Sequence, residues 1–167
     1  MDPLAGAVCA KIEEQIERTL HLIGLAPDIA WAPPIAGAWT FGELLGHLLD
    51  CLAGVCAVLY AAHPAELAHF AELRDLSVNF ACSPAEARER IEVYRTRIAE
   101  GFAVLRDGDL GRLLLTVFVP EGESVLTLLL GNLEHLINHK HQLFLYLKLA
   151  GVRAGTKDLY RLRQQRG

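Results

Sequence analysis

The run from Val125 to Val152, VLTLLLGNLEHLINHKHQLFLYLKLAGV, decides the fold of this 167-residue chain. It is rich in leucine, contains no proline, follows a potential helix cap at Ser124 and reaches a helix-ending glycine at Gly151. We therefore predict one helix that runs to about Ala150 and is roughly 40 Å long at 1.5 Å per residue. A helix of that length must span the whole domain.

Three further helices are predicted upstream of this run. The first begins with Asp2 as its cap and ends at Gly24, and its apolar stripe comprises Val8, Ile12, Ile16, Leu20 and Ile23. The second and third begin with capping boxes, Thr40 with Glu43 and Ser83 with Glu86. The second runs to about Ala62, and the third buries a side made of Ala87, Ile91, Tyr94, Ile98 and Leu105.

These elements predict an all-α fold, a four-helix bundle with a long connection. We expect a single domain over residues 1–167, with a core of about 3–152 and a C-terminal tail of 153–167. Residues 65–80 are expected to hold a short extra helix. The stretch Leu113 to Val119 is predicted to be a short strand or extended segment, which Pro120 and Gly122 terminate.

Composition and charge narrow the classes of function. The net charge of −4 leaves no basic surface for nucleic acid, and the basic residues near the end, Arg161, Arg163 and Arg166, are interpreted as a solvated tail. The first residues lack the basic segment of a signal peptide, and charges or histidines interrupt every apolar run, so no membrane span is expected. The four cysteines have no CxxC spacing, which favours buried free thiols and a cytoplasmic location.

Three histidines in the apolar runs form the candidate site. His135 and His139, four residues apart, lie on one helix face, and His47 in the second helix can complete a three-nitrogen metal site with open positions. His141 points about 200° away from His139. The remaining His21, His63 and His69 are expected to be exposed and not to bind metal. Spacing alone also allows all three candidates to be ordinary core histidines, and it allows Cys51 as a fourth ligand.

Two stretches resemble a known family. Trp39 to Asp50, WTFGELLGHLLD, resembles the second-helix signature of the DinB/YfiT-like superfamily, in which a Trp-Ser/Thr opening precedes the first metal-binding histidine by eight positions. The stretch from His135 to Gly151 resembles the last-helix pattern H-x-x-(H/x)-H-R-G-Q-L-x-x-Y-L-R-x-x-G. It departs from that pattern at Asn138, where many members have an extra histidine, and at Lys140-His141, which replaces Arg-Gly.

The resemblance implies that His47, His135 and His139 bind one divalent metal ion, and zinc and nickel suit three imidazoles best. Such an ion activates a bound water for hydrolysis or a bound small thiol for S-transfer. The resemblance thus implies a metal-dependent hydrolase or a thiol-dependent S-transferase, acting on a small molecule with a low-molecular-weight thiol as a second cofactor. A non-catalytic metal-binding stress or sensor protein, or a scaffold, is the alternative. Family analogy and the 52% apolar content favour a homodimer.

Roles are also assigned to five nearby residues. Asp50 can orient the His47 ring or accept a proton, and Asn138 can line the cavity or bond a ring nitrogen. Glu43 is assigned to its capping box and Glu134 to solvent. Trp39 is predicted to be a packing anchor at the helix start.

Overall fold

The computed structural model describes residues 3–26, 37–76, 78–106, 108–116 and 119–160. The four long helices are α1 (Pro3–Gly24), α2 (Phe41–Ala62), α3 (Pro84–Val104) and α4 (Val125–Leu149). A 3-10 helix, Ala68–Asp75, lies between α2 and α3, which confirms a short helix within residues 65–80. The chain thus adopts the predicted all-α fold.

Side-chain caps set where the long helices begin. Thr40 Oγ1 accepts a hydrogen bond from the backbone N–H of Glu43 (3.2 Å), and the Glu43 carboxylate accepts the N–H of Thr40 (2.7 Å). Ser83 and Glu86 repeat this arrangement at α3. Both predicted capping boxes are confirmed, whereas the predicted cap Asp2 lies outside the described residues.

The core of the bundle is centred on α2, which packs against α3 and α4, while α1 packs against the same two helices. Every residue predicted for the buried side of α3 is buried, and the predicted stripe of α1 is buried except for the half-buried Leu20. By length and composition alone, α2 is apolar enough to cross a membrane, but 61% of its most apolar window is buried inside the protein. Burial of this kind is what a core helix shows.

The segment that leads into α3 returns across the start of α2. The backbone N–H of Asn79 donates to the carbonyl of Gly46 (3.1 Å), and that of Cys82 donates to the carbonyl of Gly42 (3.2 Å). Glycine is required at position 46, because a Cβ atom there would overlap the carbonyl oxygen of Phe80. This close approach brings Asn79 to the neighbourhood of His47.

The structure adds detail to two of the remaining segments. The stretch from Leu113 to Val119, predicted to be a short strand or extended segment, begins with β1 (Leu113–Leu114), which pairs with β2 (Glu123–Ser124) in antiparallel register. Residues 117–118 lie outside the described part, and the turn through Pro120 and Gly122 leads directly into α4. Within the described ranges, the sheet consists of these two strands.

The expected tail is also folded in part. Residues 156–159 form a helical turn, α5 (Thr156–Leu159), which packs on α1. Leu159 is buried there, and the Asp158 carboxylate lies 3.0 Å from His21 Nε2. The described part of the tail, which reaches residue 160, therefore packs against α1. Arg161, Arg163 and Arg166 lie outside the described residues.

The cysteines are free thiols, as predicted. Cys51, Cys56 and Cys82 are buried, whereas Cys9 is half-buried.

Candidate metal centre

Packing of α2 against α4 brings the three predicted histidines together. His47 Nε2 lies 3.1 Å from His135 Nε2. The ring centroids are separated by 4.4 Å for His47 and His139, 4.6 Å for His135 and His139, and 5.0 Å for His47 and His135. One nitrogen from each ring lies within 4.8 Å of those of the other two, so the cluster could hold a metal ion.

Two amide side chains fix the tautomers of two rings. His47 Nδ1 lies 2.6 Å from Asn79 Oδ1, and His139 Nδ1 lies 2.6 Å from Gln142 Oε1. An amide oxygen only accepts hydrogen bonds, so the Nδ1 atoms must carry the protons. Each neutral ring then presents a bare Nε2 lone pair, the form in which imidazole binds a metal.

The electrostatics of the cluster favour neutral rings. Burial is the main cause that lowers the pKa of His135 below its ordinary value, and the neighbouring His47 side chain acts in the same direction. Burial is also the main cause that lowers the pKa of His139, although the hydrogen bond that His139 donates to Gln142 acts in the opposite direction. Both imidazoles are therefore unprotonated near neutral pH and available as ligands.

The donor set fits a divalent transition metal. Two imidazole nitrogens bound to one tetrahedral ion would lie about 3.3 Å apart, close to the 3.1 Å between His47 and His135. Cys51, the alternative fourth ligand, is not in the cluster: its thiol donates to the carbonyl of His47 at 3.6 Å. Burial raises the pKa of this thiol to about 12. Three nitrogens would leave coordination positions open.

The amide side chains that contact the rings include one that the sequence did not point to. Among the described residues, the hydrogen bonds of the three rings go to Asn79, Gln142 and one another, while Asp50 is half-buried and Asn138 is exposed. The orienting or proton-accepting role suggested for Asp50, and the role suggested for Asn138, stay predictions. No sequence signal marks Asn79, because it lies 32 residues from His47. Gln142 was detectable, since it follows His139 by three residues on the same helix face.

Trp39, predicted to be a packing anchor at the helix start, packs against two of the clustered rings. The residue is 42% exposed, and its ring centroid lies 4.5 Å from that of His47 and 5.6 Å from that of His139. The carbonyl of Trp39 accepts a hydrogen bond from the Tyr146 hydroxyl (2.8 Å). The helix start is instead held by the capping box of Thr40 and Glu43, which confirms the role given to Glu43.

The other four histidines lie outside the cluster. His141 turns away, as predicted, and its Nδ1 lies 2.9 Å from the carbonyl of Ile137. His63 was expected to be exposed but is only 6% exposed, because its Nε2 lies 2.7 Å from the Asp109 carboxylate and ties the end of α2 to the loop after α3. His69 is exposed, and His21 is partly covered by Asp158.

Comparison with known proteins agrees with this architecture. No curated protein matches the chain. The family model of the DinB superfamily matches residues 11–143, which include α2, α3 and all three clustered histidines. The match covers most of the sequence, and the chain therefore belongs to the DinB superfamily.

Proposed function

We propose that this protein is an enzyme whose three histidines hold one divalent metal ion, zinc or nickel, and activate a small nucleophile. The observation that carries the proposal is the pair of amide contacts, Asn79 to His47 and Gln142 to His139, each 2.6 Å long. Metal-binding histidines routinely have such a partner on the second ring nitrogen, and here the oriented rings also converge, with one nitrogen of each of the three histidines within 4.8 Å of the others.

The residues of the site have two kinds of proposed role, binding the metal ion and accepting a proton. His47, His135 and His139 would hold the ion, and Asn79 and Gln142 would keep two rings in the binding tautomer. The ion would supply a Lewis acid that lowers the pKa of a bound water or thiol. Asp50 is a half-buried carboxylate whose negative charge acts on His135 and His139, so it is placed to accept a proton close to the site.

Two reactions fit this arrangement, hydrolysis of a small molecule and transfer of a low-molecular-weight thiol to an electrophile. A non-catalytic metal-binding sensor or scaffold remains the second candidate, since it needs the same ligands. Turnover separates the two classes, because a sensor binds metal and releases no product.

The first test is the metal content of protein purified without a histidine tag. We expect close to one equivalent of zinc or nickel in the wild type and a loss of metal in His139→Ala, with His141→Ala as the matched control on the same helix. Metal content far below one equivalent in every variant would overturn the proposal.

The second test is turnover of a panel of esters, amides and thiol–electrophile pairs. Turnover that His139→Ala abolishes and His141→Ala retains supports the enzyme. Full metal occupancy without turnover of any pair would favour the sensor or scaffold.

We also propose a homodimer in a reducing, cytoplasmic location. The leucines on the outer face of α4, Leu130, Leu145 and Leu149, are exposed, and a second copy would cover them. Light scattering should give twice the chain mass for the wild type and the chain mass for Leu145→Glu. A wild-type monomer would contradict the dimer, and the free buried thiols support the location.

A further inference from the structure

An exposed indole lies beside the metal centre. Trp39 contacts two of the three clustered rings, at centroid distances within the range of aromatic contacts. Its interplanar angles to His47 and His139 are 49° and 36°, so the indole leans over both rings and does not meet them edge-on. At 42% exposure, a large part of its surface still faces solvent.

The position of this indole is fixed by both helices that carry the histidines. Trp39 immediately precedes the capping residue Thr40 of α2, so its backbone cannot move far from the helix start. From α4, the Tyr146 hydroxyl donates to the Trp39 carbonyl at 2.8 Å, and Tyr146 lies two helical turns after His139. The exposed indole is thus held in place at the rim of the histidine cluster.

We infer that Trp39 forms one wall of the substrate site and selects substrates that carry a planar, conjugated group, such as an aryl ring, next to the reacting atom. This inference rests on the proposed function, because it places the reacting atom at the three histidines. A planar group can stack on the indole face, whereas a saturated group of the same size gains burial without stacking. The expected preference for the planar group is about two- to tenfold in affinity.

Three hydroxamates test the inference by direct binding to zinc-loaded protein, measured by calorimetry. Acetohydroxamate reports whether the metal centre is open. Benzohydroxamate adds a planar ring, and cyclohexanecarbohydroxamate adds a saturated ring of similar size. We expect benzohydroxamate to bind more tightly than the cyclohexane compound in the wild type, equally in Trp39→Leu, and with part of the preference kept in Trp39→Phe.

A second pair of variants tests the hydrogen bond between Tyr146 and the Trp39 carbonyl without changing the indole. Tyr146→Phe removes the hydrogen bond to the Trp39 carbonyl and should reduce the preference, while Tyr160→Phe, a tyrosine of the exposed surface, should leave it unchanged. Zinc affinity and thermal unfolding of each variant check that the site and the fold are intact.

The outcomes separate the inference from the function on which it rests. If none of the hydroxamates binds the zinc-loaded wild type, the open metal centre is refuted and the inference with it. If all bind but the wild type does not prefer the planar ring, only the inference fails. A Trp39→Leu variant that weakens all three probes by the same factor would show that the indole merely supports the histidine rings, and this also overturns the inference.

Discussion

Replacing Gly46 by alanine should weaken the proposed metal site without changing any of its three histidines. A Cβ atom at position 46 would overlap the Phe80 carbonyl oxygen and lie 2.7 Å from the Phe80 carbonyl carbon. These are backbone atoms, which cannot rotate away. Because carbon atoms pack no closer than about 3.5 Å, the segment that contains Asn79 must retreat by about 1 Å.

That retreat is enough to break the contact that orients His47. The Asn79 Oδ1 to His47 Nδ1 distance is 2.6 Å, and a shift of about 1 Å takes it beyond hydrogen-bond range. His47 then loses its tautomer control and its fixed ring orientation. Loss of such a partner weakens metal binding about 10- to 100-fold, or about 1.4 to 2.8 kcal/mol. The overlap should also lower the free energy of unfolding by about 1 to 3 kcal/mol.

The assay is zinc affinity, measured by competition with a chromophoric chelator, together with urea unfolding of the metal-free protein. Gly131→Ala is the matched control, since Gly131 is exposed on α4 and a Cβ there meets nothing within 4 Å. The control should keep its zinc affinity and gain about 0.5 to 1 kcal/mol in stability from better helix propensity. Wild-type zinc affinity in folded Gly46→Ala would refute the role given to Asn79.

Shifted pKa values give three more predictions. Since burial lowers the pKa of His135, the unfolded chain takes up a proton at a higher pH than the folded protein does. The metal-free protein should therefore lose stability as the pH falls from about 6.5 to 5. Thermal unfolding would contradict this if the difference in stability between wild type and His135→Asn stayed constant over that range. Lys140 is 1% exposed, and burial lowers its pKa to about 8. Lys140→Met should therefore raise the free energy of unfolding by about 1 to 2 kcal/mol at pH 7, after the cost of one lost hydrogen bond, and by less as the pH rises above 8. An equal gain in the free energy of unfolding at pH 10 would refute this prediction. Burial raises the pKa of Cys51 and Cys56 to about 12. Mass spectrometry should therefore find neither thiol alkylated by iodoacetamide at pH 8 until the protein unfolds. Rapid labelling of these two thiols in the native protein would count against their burial.

Local signals in the sequence were sufficient for the helices. A capping box is a contact between residues three apart, so Thr40 with Glu43 and Ser83 with Glu86 could be identified without tertiary information. The glycine that ends α4 has φ +81, a conformation that favours this residue type, and it too is a local feature. The i, i+4 spacing of His135 and His139 likewise follows from helix geometry alone.

Contacts between segments far apart in the chain could not be predicted from the sequence. The buried state of His63 depends on Asp109, which arrives from a loop after α3, so a position near a helix end gave the wrong exposure. The folding of residues 156–159 onto α1 depends in the same way on a surface contributed by the other end of the chain.

The sequence by itself determined the helical class, the starts of the capped helices, the family and the three histidines. Each of these depends on spacing along one helix or on a motif within a short stretch. Only the tertiary structure decided that Asn79 contacts the His47 ring, and that Trp39 lies exposed against the cluster. The physical reason is that these contacts form where Gly46 lets a distant loop approach α2 and where the start of α2 meets the far half of α4, and no local pattern records either approach.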